Sequence, residues 1–189
     1  MIGIFGGSFN PPHIGHLILA EEARLELNLR KVIFVPSGIS PHKREILDTE
    51  KRLKMVNLAV VSSDFFSVSD FEANKKTPGY TIETLEHFSK KFKSEEIVFL
   101  MGGDCLKEIK TWHRWKDLLE NFKLAVFIRD GFNEDEIEGE ILEKVQILKN
   151  PIINVSSSEI RNRIKKGRAY RYFVPERVYH YIEALGLYR

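Results

Sequence analysis

The stretch that most restricts the fold lies at the start of the chain, where an apolar pentad, Met1 to Phe5, runs straight into GGSFNPPHIGH, Gly6 to His16. A strand that delivers the chain into a glycine-bearing loop is expected here. Gly6 and Gly7 let the backbone turn and approach a ligand closely, and Pro11 and Pro12 stiffen the turn without offering N–H groups. The apolar Leu17, Ile18, Leu19 and Leu25 predict a helix from about Gly15 to Leu27, with His13 and His16 at its first turn. Free N–H groups and the helix dipole favour anions at that end. The stretch therefore outlines a polyphosphate site, although glycine and proline also mark ordinary turns.

The rest of the chain alternates helical and strand patterns. Val32 to Val35 is β-branched and aromatic and ends at Pro36, and two strands separated by one helix suggest a parallel pair. The following SGISPHKRE carries His42, Lys43 and Arg44, which can face a ligand or form a solvated basic loop. Asp48 or Thr49 can cap a helix with Leu53, Val56, Leu58, Ala59 and Val60 on its buried stripe, before a short strand, Phe65 to Val68. Pro78 and Gly79 force a turn, and Thr81 is placed to cap the helix TIETLEHFSKKF.

Ile97 to Met101 is apolar without a break, as a parallel strand covered on both faces requires, and it leads into Gly102, Gly103 and Asp104. Ligands of open α/β sheets lie beyond the carboxyl ends of the strands, so Asp104 shares a rim with the first loop. It can accept hydrogen bonds from a ribose or cap a helix. Trp112 and Trp115 are spaced as neighbours on a helix, as core residues or as a ring-stacking platform. Leu124 to Ile128 is another strand. Asp130 to Glu143, with seven acids and no base, is expected to be an exposed helix or loop, and Ile152 to Val155 a last short strand. Ser156, Ser157 and Ser158 then open an amphipathic helix. One of them is the N-cap, the others can meet phosphate oxygens, and Arg161 lies one turn on for a bidentate charged contact. Pro175 and Glu176 open a final helix that Gly186 can close, with Val178, Tyr179, Ile182 and Leu185 facing inward.

At 189 residues and 43% hydrophobic side chains, a single domain over 1–189 can bury a sizeable core. The 29 basic and 27 acidic residues give +2, which points to neither nucleic acid nor an anionic membrane. From Glu159 onward eight Lys or Arg face three acids, but they follow helical spacing opposite apolar positions, as a solvated face does. The first twenty residues carry no Lys, Arg, Asp or Glu. They also lack a basic n-region, and Asn10, Pro11, Pro12, His13 and His16 interrupt the apolar run, so neither a signal peptide nor a membrane span is expected. Cys105 is the only cysteine, which excludes an intramolecular disulfide and suits a cytoplasmic setting. No carboxylate cluster has metal-ligand spacing, and a homo-oligomer is left open.

GGSFNPPHIGH and SSSEIR together closely resemble the two signature segments of the HxGH nucleotidyltransferase superfamily, and SPHK, PGYT, GGD and TWHRW resemble those of the bacterial nicotinate mononucleotide adenylyltransferases. The resemblance covers nearly the whole chain. It implies an α/β fold with a Rossmann-like open, mainly parallel sheet, helices on both faces and a small helical C-terminal part. It also implies transfer of AMP from ATP to nicotinate mononucleotide by direct in-line attack, with Mg²⁺ bound mainly by the ATP phosphates. By the same resemblance His13, His16, Lys43 and Arg161 serve the transferring and leaving groups. Gly6, Gly7, Ser8 and Phe9 line the ATP site, Asp104 holds a ribose hydroxyl, and Ser157 and Ser158 meet phosphates. Trp112 stacks on the pyridine ring and Thr81 bonds its carboxylate, leaving Trp115 to packing. Asn10, Ser40 and His113 depart from the usual pattern. A phosphopantetheine adenylyltransferase or cytidylyltransferase would share the first loop but not the Trp112 and Thr81 pocket. A non-catalytic nucleotide- or RNA-binding module would have no use for His13, His16, Lys43 and Arg161 together.

Overall fold

The computed structural model of the protein describes residues 1–38, 47–75, 77 and 79–189. Lys43, with its neighbours His42, Arg44 and Ser40, lies outside the described residues. In chain order the elements are β1 (Ile2–Gly7), α1 (Ile14–Glu26), β2 (Lys31–Pro36), α2 (Thr49–Val60), β3 (Phe66–Val68), α3 (Thr81–Lys91) and β4 (Ile97–Gly102). They continue as α4 (Gly103–Lys107), α5 (Trp115–Asn121), β5 (Lys123–Phe127), α6 (Gly139–Leu142), β6 (Val145–Leu148), α7 (Ser157–Lys165) and α8 (Glu176–Leu185).

The six strands form one parallel sheet in the order β3-β2-β1-β4-β5-β6. Chain progress reverses between β1 and β4, the switch point at whose carboxyl edge open α/β sheets form their ligand crevice. Alternation along the central strands divides the core. Phe5, Phe34 and Leu100 join α1, α2, α7 and α8 on one face. Ile2, Ile4 and Phe99 join α3, α5 and the short α4 and α6 on the other. The Rossmann-like sheet with helices on both faces is therefore present, and the C-terminal helices pack on it, α8 against α2. Among the described residues no helix is long and apolar enough to cross a membrane.

The last strand is not Ile152 to Val155, which is irregular. Val145–Leu148 takes the edge instead, paired with β5. The chain leaves the sheet at Asn150, whose side chain accepts from Ile128 N–H at 2.9 Å and donates to the Ile128 carbonyl at 3.0 Å, and Pro151 has no N–H to continue a ladder. The acidic stretch is mostly exposed, yet it buries Ile137 and Ile141 in the core and pairs Lys107 with Glu136 and Lys110 with Glu138.

Candidate active site

The loop after β1 occupies the crevice. Gly7 sits close under the Phe9 ring, which a Cβ would meet at 3.1 Å, so that a side chain there would press on the ring. Phe9 adopts φ 45°, a left-handed backbone that a bulky residue rarely takes, and its ring is buried against Phe5, Phe34 and His16. His13 stands at the N-cap of α1 and His16 at the third helical residue. The His16 ring reaches back to accept from the His13 backbone N–H at 3.1 Å. The two imidazoles stack at 3.6 Å between centroids.

Burial, reinforced by the charge of Arg129, holds the His13 pKa down at about 3. His16 is lowered well below the usual histidine range by burial first, then by His13 and Arg129. Both rings are therefore neutral near pH 7. The His13 Nδ1 is buried against the first turn of α1, 3.0 Å from where a Cβ on Gly15 would lie.

The second wall comes from α7. Ser156 is the N-cap, its hydroxyl accepting from Glu159 N–H at 3.1 Å. Ser157 Oγ donates to the Pro11 carbonyl at 2.8 Å. Arg161 Nη1 donates to the Asn10 carbonyl at 2.8 Å and Nη2 to Ser158 Oγ at 3.2 Å. The predicted Ser157, Ser158 and Arg161 thus meet the histidine loop across about 150 residues of sequence.

On the neighbouring strand end Gly102, not Asp104, is the N-cap of α4. Asp104 projects into solvent, 3.7 Å from Arg129, and is free of capping. Gly103 is needed because a Cβ would collide with the Phe132 ring, which folds the loop after β5 back over the GGD turn.

The predicted Thr81 and Trp112 lie on the α3 and α5 side of the sheet. Tyr80, not Thr81, occupies the N-cap position of α3, and Thr81 is the first helical residue, so its hydroxyl caps nothing. Trp112 and Trp115 do not share a helix. Trp112 closes a 3-10 turn, Arg114 turns the chain at φ 53°, and Trp115 starts α5. Trp112 is half-buried, edge-on to Phe99 at 6.2 Å, and Trp115 packs on the core under Lys110 and Lys116. Tyr80 and His113 rings meet at 4.4 Å, and Arg114 pairs with Glu86 of α3 at 2.9 Å, which brings the Thr81 and Trp112 segments together.

The cytidylyltransferase-like family profile matches residues 4–163. A Clostridium tetani protein named "Probable nicotinate-nucleotide adenylyltransferase" is 41% identical over 98% of both chains. A Carboxydothermus hydrogenoformans protein of the same name is 40% identical over 100% of this chain and 98% of its own. This chain belongs to the nicotinate-nucleotide adenylyltransferase family. The fold is also that of the Plasmodium falciparum nicotinic acid mononucleotide adenylyltransferase solved with NaAD, with TM-score 0.81 and 22% identity over 99% of this chain and 96% of that one.

Within this nicotinate-nucleotide adenylyltransferase fold, several residues that organise the site carry no motif. Arg52 of α2 is buried and donates to the carbonyls of Ser8, Ser37 and Leu47 at 2.8, 2.7 and 2.9 Å, bracing the loops after β1 and β2. Its signal in the sequence is a cation at helical spacing with Met55, Val56 and Ala59, on the apolar stripe. Arg129 follows β5 onto the same rim, a position visible only once strand order is known. Glu72 is the third: its half-buried carboxylate accepts from Thr84 Oγ1 at 2.6 Å and lies against Gly79 beside the start of α3, and burial raises its pKa.

Proposed function

We propose that the protein, as one nucleotidyltransferase domain over residues 1–189 working in the cytoplasm, transfers AMP from ATP to nicotinate mononucleotide, giving nicotinate adenine dinucleotide and pyrophosphate. A phosphate oxygen of the mononucleotide attacks the α-phosphorus, the bond to the β-phosphate oxygen breaks, and pyrophosphate leaves with the electron pair. No side chain becomes a covalent nucleophile. Catalysis consists of holding the two substrates in line and stabilising charge as it shifts.

The observation that carries this reading is the pair of stacked, neutral imidazoles at the switch point, under the charge of Arg129 and in a loop whose Asn10 carbonyl Arg161 holds. A neutral imidazole with a pKa far below 7 is a poor proton carrier but a good fixed N–H donor to phosphate oxygens. Arg161, together with Lys43, neutralises charge on the transferring and leaving groups. The N-terminal N–H groups of α7 at Ser157 and Ser158 contribute further donors. Phe9 supports His16 from below and offers ATP its backbone, as Gly6, Gly7 and Ser8 do. Asp104 is exposed and uncommitted to a cap, suited to a ribose hydroxyl.

Among the described residues no group of three His, Cys, Asp or Glu could hold a metal. The site presents cations and N–H donors, which fits a Mg²⁺ that arrives on the ATP phosphates and lowers their charge. Trp112 stacks on the pyridine ring and Thr81, with neighbouring backbone, receives its carboxylate.

The test is pyrophosphate release with ATP, Mg²⁺ and either nicotinate or nicotinamide mononucleotide. Turnover with the nicotinate form is expected, and no turnover with either mononucleotide would overturn the reading.

A further inference from the structure

The penultimate residue of the chain reaches the catalytic loop. Tyr188 Oη donates to Asn10 Oδ1 at 2.8 Å, linking residues 178 apart in sequence. The same Asn10 presents its backbone carbonyl to Arg161 at 2.8 Å. Tyr188 is held for this task by its own surroundings. Gly186 ends α8 at φ 57°, Leu187 N–H returns to the Ile182 carbonyl at 3.0 Å, and Leu187 is buried. Tyr188 then takes φ 67°, which turns its ring inward onto the core shared by α1, α2 and α8. Its hydroxyl feels the charges of Arg161 and Arg52, the two cations that also bind carbonyls of the Ser8 to Asn10 loop, and burial raises its pKa so that it stays protonated as a donor.

We propose that Tyr188 is a positioning residue for adenylyl transfer, its hydroxyl fixing Asn10 and through it the loop that sets His13 and His16. The proposal deepens the transferase reading and rests on it. Arg52, Arg161 and Ser157 hold main-chain carbonyls of the loop from Ser8 to Pro11, whereas Tyr188 grips the Asn10 side chain.

The experiment compares Tyr188→Phe with Tyr170→Phe. Tyr170 donates to Glu183 at 2.6 Å and so ties the same helix α8 without touching the loop. Tyr188→Phe is expected to lower kcat for pyrophosphate release by about fivefold to tenfold, the effect of one lost hydrogen bond, with KM for the mononucleotide unchanged. Amide hydrogen exchange over residues 8–16 should quicken. Tyr170→Phe is expected to lower Tm while kcat and that exchange stay as in the parent. Asn10→Ala should match Tyr188→Phe, and the double variant should be no worse than Asn10→Ala alone. An unchanged kcat and exchange in Tyr188→Phe would overturn the proposal, as would additive losses in the double variant or an equal kcat loss in Tyr170→Phe. If the parent protein releases no pyrophosphate, the transferase reading fails. Unchanged exchange over residues 8–16 in Tyr188→Phe would then refute the tether separately.

Discussion

The two sides of the crevice are built differently. On the phosphate side the loop from Ser8 to Pro11 is gripped by hydrogen bonds from α2, from α7 and from the chain terminus, and three of them end on main-chain carbonyls. On the acceptor side Thr81 and Trp112 are brought together by ring contacts, Tyr80 with His113 and Trp112 with Phe99, and by the exposed Arg114–Glu86 pair. A main-chain bond fixes where a donor sits, whereas rings slide and an exposed ion pair contributes little. In the proposed transfer, transition-state charge develops on the phosphate side, where a displaced donor is costly, while the acceptor side grips a flat ring, and stacking tolerates adjustment.

The contrast predicts where substitutions fall in the kinetics. The largest effect is expected from His16→Ala, which removes a fixed donor: kcat falls by about 10²-fold or more in pyrophosphate-release assays, with KM for the mononucleotide unchanged. Arg161→Ala comes next, losing a cation and the Asn10 tether together, for a drop in kcat/KM of about 10- to 100-fold. Trp112→Ala tests the opposite wall. It should raise KM for the mononucleotide about tenfold while ATP binding, followed by titration calorimetry, is spared. A comparable loss in ATP affinity would erase the distinction between the two sides.

Stability should show the same division more gently. His13 is held at about 3 in the folded protein and has an ordinary value of 6.5 when unfolded, so below 6.5 the unfolded state binds the proton first. The stability linked to this histidine is full above pH 6.5 and is lost as the pH falls toward 3. Thermal melts from pH 7.5 down to 4.5 should therefore decline more steeply for the parent than for His13→Gln. The smallest effect is expected from Ser157→Ala, which removes one bond to the Pro11 carbonyl, about 1 kcal/mol, and should lower Tm by about 2 to 4 °C.

Much of this was legible in the sequence where one physical signal governs. Unbroken apolar runs followed by glycine marked β1 and β4, because parallel strands buried on both faces have no polar side to show. The serine run marked α7, since an N-cap needs a short hydroxyl. The edge strand Val145–Leu148 escaped notice because, with Gln146 in it, it is no more apolar than Ile152 to Val155, which Asn150 and Pro151 keep out of the sheet. The tryptophan spacing suggested one helix, but Arg114 in a left-handed turn divides it. Thr81 was expected to cap α3, and the structure gives that position to Tyr80, releasing the hydroxyl. Tyr188 and Arg129 act across the fold on partners distant in sequence, of which local spacing contains nothing, and for Arg52 the spacing shows only a cation on an apolar stripe, not the carbonyls it binds.

The bond from the His13 backbone N–H to His16 Nδ1 does more than finish a helix end. A nitrogen that accepts a hydrogen bond carries no hydrogen of its own, so the proton of the neutral His16 ring resides on Nε2. The backbone has thereby chosen the tautomer before any nucleotide enters. In the proposed transfer His16 meets its ligand through that one predetermined nitrogen, with no proton to relocate as charge builds on the phosphate oxygens. The first turn of a helix has settled a question of chemistry.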